Sequence, residues 1–75
     1  MRNQLIVDCP KISLKAARVN AQMTQEQAAK ALGISKSTLQ SYEKGNTVPD
    51  WETVDQIERV YKYPSSFIFF SKNLA

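Results

Sequence analysis

The sequence predicts a compact, four- to five-helix all-α domain with an extended N-terminal arm. Three observations carry that expectation. Side chains able to cap a helix start, Ser13, Thr24, Ser35 and Asp50, each precede a stretch whose apolar residues recur at three- and four-residue spacing. The two glycines, Gly33 and Gly45, fall where two of those stretches end, and glycine takes the left-handed terminal conformation without a steric penalty. A length of 75 residues suits one domain with one small core. The expected division is an arm or short strand over residues 1–12, a helical domain over 13–63, and a short helix with an apolar tail over 64–75, packed on the domain or on a dimer partner.

In the arm, Leu5-Ile6-Val7 is an apolar run too short for a helix and closed by Asp8-Cys9-Pro10. A lone strand needs a partner, so the run is expected to pair with another chain, pack flat on the helices, or remain disordered. The first helix starts after Ser13 and runs to about Ala21, with Leu14, Ala17, Arg18 and Ala21 along one stripe. Arg18 is the odd member, because a guanidinium facing inward needs a carboxylate. Glu43 poses the matching puzzle beside Leu39 and Tyr42, and the two are predicted to pair; the alternative is that both reach solvent.

Met23 precedes the Thr24 cap where a hydrophobic staple would sit, and Gln27 completes a capping box with Thr24. Ala28, Ala29 and Leu32 then share an inner face, the small Ala29 suiting a close crossing, while Gln25, Glu26 and Lys30 stay wet. After the apolar turn residue Ile34, Ser35 caps a third helix that ends with Lys44. Leu39 and Tyr42 face inward on it. Its opposite face carries Ser37, Gln40, Ser41 and Lys44, with Lys36 on the shoulder and no aliphatic residue. Short hydrogen-bonding groups and ammonium ions are the kit that reads base edges and phosphates. An ordinary solvated face has a similar composition, so the face by itself leaves the two readings even.

The segment from Asn46 to Asp50 is a loop, and Asp50 caps a fourth helix whose Trp51, Val54, Ile57 and Tyr61 are expected to face the core. Asp55 with Arg59, and Glu58 with Lys62, are spaced for surface pairs. Pro64 ends this helix by Tyr63, and Ser65 is expected to cap a short final turn. The run Phe67-Ile68-Phe69-Phe70 holds more apolar surface than one small core can hide, so Phe67 and one neighbour should finish the core while the run also serves as a dimer contact.

Residues 14–51 resemble the helix-turn-helix domain of the phage repressor and Cro family, the XRE type. The matching residues are Thr24-Gln25, Ala29, Gly33, Ile34-Ser35, Leu39 and the Ser-Tyr-Glu-Lys-Gly ending at Gly45. The resemblance implies a lambda-repressor-like fold and a sequence-specific regulator of transcription, a repressor, that binds a double-stranded DNA operator as a weak homodimer. It makes the helix over residues 35–44 the recognition helix in the major groove. Lys36, Ser37, Gln40 and Ser41 would then face bases, while Gln25, Ser35, Lys44, Asn46 and Thr47 contact phosphates. Arg18 and Glu43 also stand where members of that family tie their first and third helices. The competing expectation is a protein-interaction module of the same fold, an antitoxin or anti-repressor.

Other classes fare poorly. With no histidine, one cysteine and no glycine-rich phosphate loop, the chain lacks the parts for metal hydrolysis, a catalytic dyad or nucleotide binding. No catalytic residue, metal, cofactor or small-molecule substrate is expected. The single Cys9 cannot form an internal disulfide and reads as a small apolar residue in a reducing compartment. No leader pattern or membrane-length apolar run occurs, so a soluble, cytoplasmic protein without a membrane partner is expected. Residues 1–48 hold seven Lys or Arg against three acidic residues, a balance of +4, and the remainder hold three against four, a balance of −1. The basic portion thus contains the paired helices, as a phosphate partner requires.

Overall fold

The computed structural model describes residues 10–70. A two-residue strand β1 (Ile12–Ser13) leads into helix α1 (Leu14–Asn20), followed by α2 (Gln25–Leu32), α3 (Lys36–Lys44) and α4 (Trp51–Tyr61). A 3-10 turn (Ser65–Phe67) then delivers a second short strand, β2 (Ile68–Phe69). The run Leu5-Ile6-Val7, Cys9 and the end of the tail lie outside the described residues.

Each helix begins at the side chain expected to start it. The Ser13 hydroxyl accepts from the Ala16 amide at 3.0 Å and the Ser35 hydroxyl from Thr38 at 3.1 Å. The Asp50 carboxylate accepts from the Thr53 amide at 2.9 Å. At α2 the capping box is complete, with Gln27 N–H donating to Thr24 Oγ1 at 3.1 Å and Thr24 N–H donating to Gln27 Oε1 at 2.9 Å. Gly33 and Gly45 close α2 and α3 at φ +72° and +79°. At each, the amide of the following residue reaches five residues back, Ile34 to the Ala29 carbonyl and Asn46 to the Ser41 carbonyl, both at 3.0 Å. That is the Schellman arrangement, which satisfies carbonyls the helix leaves open.

The other two helices also run into a left-handed residue, which is not glycine. Gln22 closes α1 at φ +62° and Lys62 closes α4 at φ +56°. Because Lys62 turns left-handed out of the helix, it leaves the position from which it was expected to reach Glu58. No ion pair joins them, whereas Arg59 and Asp55 do meet, at 2.9 Å.

The core consists of Leu14, Ala17, Ala28, Ala29, Leu32, Leu39, Ile57, Tyr61 and Ile68. Three buried alanines keep the crossings of α1 and α2 with their neighbours close, since a larger side chain there would force the axes apart. Trp51 does not face the core as expected; it is 76% exposed. At 100° per residue it points roughly 100° around α4 from the mean direction of Ile57 and Tyr61, past the edge of the buried stripe.

The tail also departs from expectation. β2 pairs in parallel with β1, Ile12 opposite Ile68 and Ser13 opposite Phe69, so the end of the N-terminal arm finds its strand partner in its own chain. Alternation along β2 turns Ile68 into the core at 4% exposure and Phe69 outward at 38%. Ile68 is therefore withdrawn from the expected dimer contact. Phe69 is flanked by Lys11, whose Nζ lies 5.0 Å from the ring centroid. Phe70, half-buried, packs against the core, so it and Ile68 complete the interior instead of Phe67. Ser65 makes no capping hydrogen bond; Pro64 precedes the turn with extended backbone, and the turn is closed by Phe67 N–H to the Pro64 carbonyl at 3.0 Å. The Tyr63 hydroxyl donates to the Pro10 carbonyl and ties the segment after α4 to the chain entering β1.

Tyr61 is 2% exposed and its hydroxyl has no hydrogen-bond partner among the described residues. Burial, reinforced by the negative charge of Glu43, pushes its phenol up to about 12. The folded pKa is raised above the unfolded value of about 10, so this stability is fully present below pH 10 and lost as pH rises through 12. Two pH units correspond to about 3 kcal/mol. Tyr61→Phe is expected to weaken the alkaline unfolding transition in this window, followed by circular dichroism. It should also leave the neutral-pH melting temperature unchanged or higher by a few degrees, since it removes an unsatisfied buried hydroxyl.

Candidate nucleic-acid interface

The geometry of α3 is set from beneath by the pair that joins it to α1. Arg18 Nε donates to Glu43 Oε2 at 2.7 Å and Nη2 donates to Oε1 at 3.3 Å, a two-point contact between side chains only 10% and 5% exposed. Arg18 Nη1 also donates to the Met23 carbonyl at 2.9 Å, so the same guanidinium holds the turn between α1 and α2. Leu39 is fully buried and Tyr42 half-buried on the same side of α3. With these three positions facing inward, the helix has one orientation available to it. Lys36, Ser37 and Lys44 are exposed, and Gln40 and Ser41 are half-exposed beside them.

The expected contacts do not all stand free. The Ser35 hydroxyl is committed to the N-cap, accepting from the Thr38 amide while donating to Thr38 Oγ1 at 2.8 Å and lying 3.2 Å from Ser37 Oγ. Backbone N–H groups at the start of a helix are unpaired within the helix, and an anion can use them as donors. Ser41 and Thr47, expected at a base and at a phosphate, meet hydroxyl to hydroxyl at 2.9 Å and join α3 to the loop after it. Asn46 and Lys44 are exposed at that same end. Lys36 lies 3.9 Å from Glu26, an exposed and weak pair that leaves the ammonium available. Gln25, expected to donate to a phosphate, donates through Nε2 to Glu43 Oε1 at 3.0 Å within the chain, and its Oε1 accepts from Gln40 Nε2 at 3.1 Å.

Two open depressions lie along this surface. One, of about 440 Å³, is lined by Lys15, Arg18, Thr24, Gln25, Glu26 and Lys36; the other, of about 320 Å³, by Lys15, Gln25, Gln40, Glu43 and Lys44. Lys15 borders both and escaped the sequence reading. The signal was present, because Lys15 precedes Arg18 by three residues and so shares the side of α1 that faces α3. Lys15, Lys36 and Lys44 thus place three cationic side chains around a strip of amides and hydroxyls. Among the described residues no group of three or more His, Cys, Asp or Glu is placed to hold a metal ion. The arrangement is suited to binding a polyanion that also presents hydrogen-bonding edges.

Comparison with known proteins agrees in extent with this architecture. A model described as helix-turn-helix matches residues 14–68, the span from the first residue of α1 to the first of β2. The chain is similar to the cryptic phage CTXphi transcriptional repressor RstR of Vibrio cholerae, with 35% identity over 51 residues, covering 68% of this chain and 46% of that protein. The chain therefore spans less than half the length of that relative. No solved structure matches.

Replacing Glu43 by Gln leaves the Arg18 charge buried without its counter-ion, a change of about 3–5 kcal/mol for a pair this enclosed. Glu43→Gln is accordingly expected to lower the melting temperature by about 10 °C or more. An unchanged midpoint in a thermal melt removes the pair from its structural role.

Proposed function

The chain belongs to the helix-turn-helix family, and from that premise we propose that it is a sequence-specific double-stranded DNA-binding transcriptional regulator, acting as a repressor. The observation that carries this reading is the face of α3. Lys36, Ser37, Gln40, Ser41 and Lys44 project from a helix whose opposite side is fastened by Leu39, Tyr42 and Glu43. A helix held this way can enter a major groove, where Lys36 and Gln40 have the reach for base edges and the shorter Ser37 and Ser41 act at close range or through water. Lys15, Lys44, Asn46 and Thr47 flank the strip and are assigned to the two phosphate backbones. Occupying an operator in this way would exclude polymerase, and the relative named above as a transcriptional repressor supports that direction of control.

A homodimer belongs to the proposal, with two recognition helices roughly 34 Å apart on a near-palindromic site. Phe67 and Phe69 remain available for a contact between copies, and a surface this small makes the dimer weak in the absence of DNA. Among the described residues no helix is long and apolar enough to cross a membrane; cytoplasmic residence is inferred from the DNA target. The reading includes no catalytic step and no small-molecule substrate. An interaction module built on the apolar tail is disfavoured, because Ile68 and Phe70 pack within their own chain.

A randomised-site selection with the purified protein is expected to recover a near-palindromic consensus; a pool that remains random overturns the proposal. In titrations against the recovered site, Lys44→Ala should weaken all sequences alike and reduce the salt dependence by about one phosphate. Gln40→Ala should instead change the preference at one base pair in each half-site. If neither variant alters DNA binding, the assignment of the face is wrong.

A further inference from the structure

We propose that Glu26 is a specificity-determining residue: by standing beside Lys36 it makes that ammonium a poor ligand for phosphates in general and leaves it to read a guanine. The inference rests on the DNA-binding reading above and gives a task to a carboxylate which that reading does not use.

The first turn of α3 is built to draw anions. Its backbone N–H groups lie at the positive end of the helix dipole, Lys36 adds an ammonium at the first residue of the helix, and the turn contains no acidic residue of its own. A phosphate from any sequence could answer that charge, and affinity gained from phosphates carries no sequence information. The negative charge comes instead from the neighbouring helix. Glu26, the second residue of α2, places a carboxylate oxygen 3.9 Å from Lys36 Nζ. The capping box between Thr24 and Gln27 fixes the backbone that carries it, and the dipole of α2 favours an anion in that turn.

The lysines around the strip are thereby sorted into two kinds. Among the described residues, Lys15 and Lys44 have no carboxylate in ion-pair contact, whereas Lys36 has Glu26. Glu43, the other carboxylate bordering the two depressions, is engaged by Arg18. An ammonium beside a carboxylate forms a unit without net charge, so meeting a phosphate releases little counterion. The directed N–H donors of Lys36 are kept, and guanine alone offers them two acceptors, O6 and N7, in the major groove. The side chains are 49% and 78% exposed, and a pair so open to water is weak enough to part for a base. Glu26 also repels the backbone wherever the base beneath Lys36 gives nothing in return. It therefore lowers sequence-independent binding more than sequence-dependent binding, and specificity is the difference between the two.

The test uses the full chain as wild type, Glu26→Gln, Lys36→Met and the double variant, with Glu58→Gln on α4 as a control that removes the same charge outside the strip. Each is titrated, over a range of salt, with the selected duplex and with a scrambled duplex of equal length. Glu26→Gln is expected to tighten binding to the scrambled duplex by about fivefold and to steepen its salt dependence by about one phosphate. Binding to the selected duplex should stay within about twofold of wild type, so the ratio of the two affinities falls. Glu26→Gln should add nothing to Lys36→Met, Glu58→Gln should keep the wild-type ratio, and the base preference that Lys36→Met abolishes should be for guanine. Equal tightening on both duplexes makes Glu26 a general source of repulsion and overturns the proposal. An unchanged ratio, an effect that persists without Lys36, the same fall with Glu58→Gln, or a Lys36-dependent preference for another base overturns it equally. A wild-type protein that enriches no sequence sinks the DNA-binding reading itself, which distinguishes the two failures.

Discussion

The contact between Arg18 and Glu43 is the constraint on which the arrangement of the domain depends. Removing a guanidinium and a carboxylate from water is costly, and their attraction offsets that cost when the geometry is good and the remaining donors are used. Here two hydrogen bonds join the charged groups, and a third of the five Arg18 N–H donors is taken by the Met23 carbonyl. A well-packed apolar pair could supply comparable stability. What apolar residues could not supply is direction. The guanidinium and carboxylate meet at two points, 2.7 and 3.3 Å, and that constrains how α3 is rotated about its own axis over α1. The polar strip of α3 is outward because the polar group on its other side has a partner inside.

Every helix in the domain is short, from seven to eleven residues, and isolated helices of such length are marginal in water. Their ends and their packing therefore decide whether they exist. At each start a side chain takes up a backbone N–H, and at each end the chain turns left-handed. The Asp50 cap illustrates the electrostatic side of this. Hydrogen bonds from the Thr53 side chain and backbone N–H hold its carboxyl below the ordinary value. With the folded pKa depressed, its capping stability is present above the unfolded carboxylate pKa and fades as pH falls through the folded value. The short parallel pairing of β1 and β2 then closes the domain, using a segment of the arm and a segment of the tail that have no helix to belong to.

Features written in local residue chemistry were legible before any coordinates. The caps of the four α-helices, the two glycine stops, the capping box at Thr24 and the inward face of α3 each depend on residues a few positions apart and appear where expected, whereas Ser65 caps nothing. The ion pair was legible for a different reason: two charged residues placed on apolar stripes have few ways to be satisfied except by one another. What escaped the reading depends on tertiary placement. Nothing in Gln22 or Lys62 announces a left-handed turn, yet both adopt it. The parallel register of Ile12 with Ile68 joins residues 56 positions apart and leaves no periodic trace. Trp51 looked like a core residue because its spacing from Val54, Ile57 and Tyr61 continues one helical stripe, but its angle around α4 sets it outside. Within the interface, residue types pointed to Gln25 and Gln40 as contacts without revealing that they bond to each other.

The resulting picture is a small framework in which buried polar chemistry orients exposed polar chemistry. Lys36, Ser37, Gln40, Ser41 and Lys44 have a common outlook because Leu39, Tyr42 and Glu43 have a common anchorage, and the lysines at the margin match the charge of a nucleic-acid backbone. The central claim is that this face of α3 is the surface that meets duplex DNA. The most direct measurement is backbone amide chemical-shift mapping of the 15N-labelled protein as its selected duplex is titrated in. The account predicts the largest changes along residues 35–47 and at Lys15, with secondary changes at Phe67 and Phe69 as two copies meet on the site. Changes concentrated at residues 67–70, with α3 silent, would contradict it.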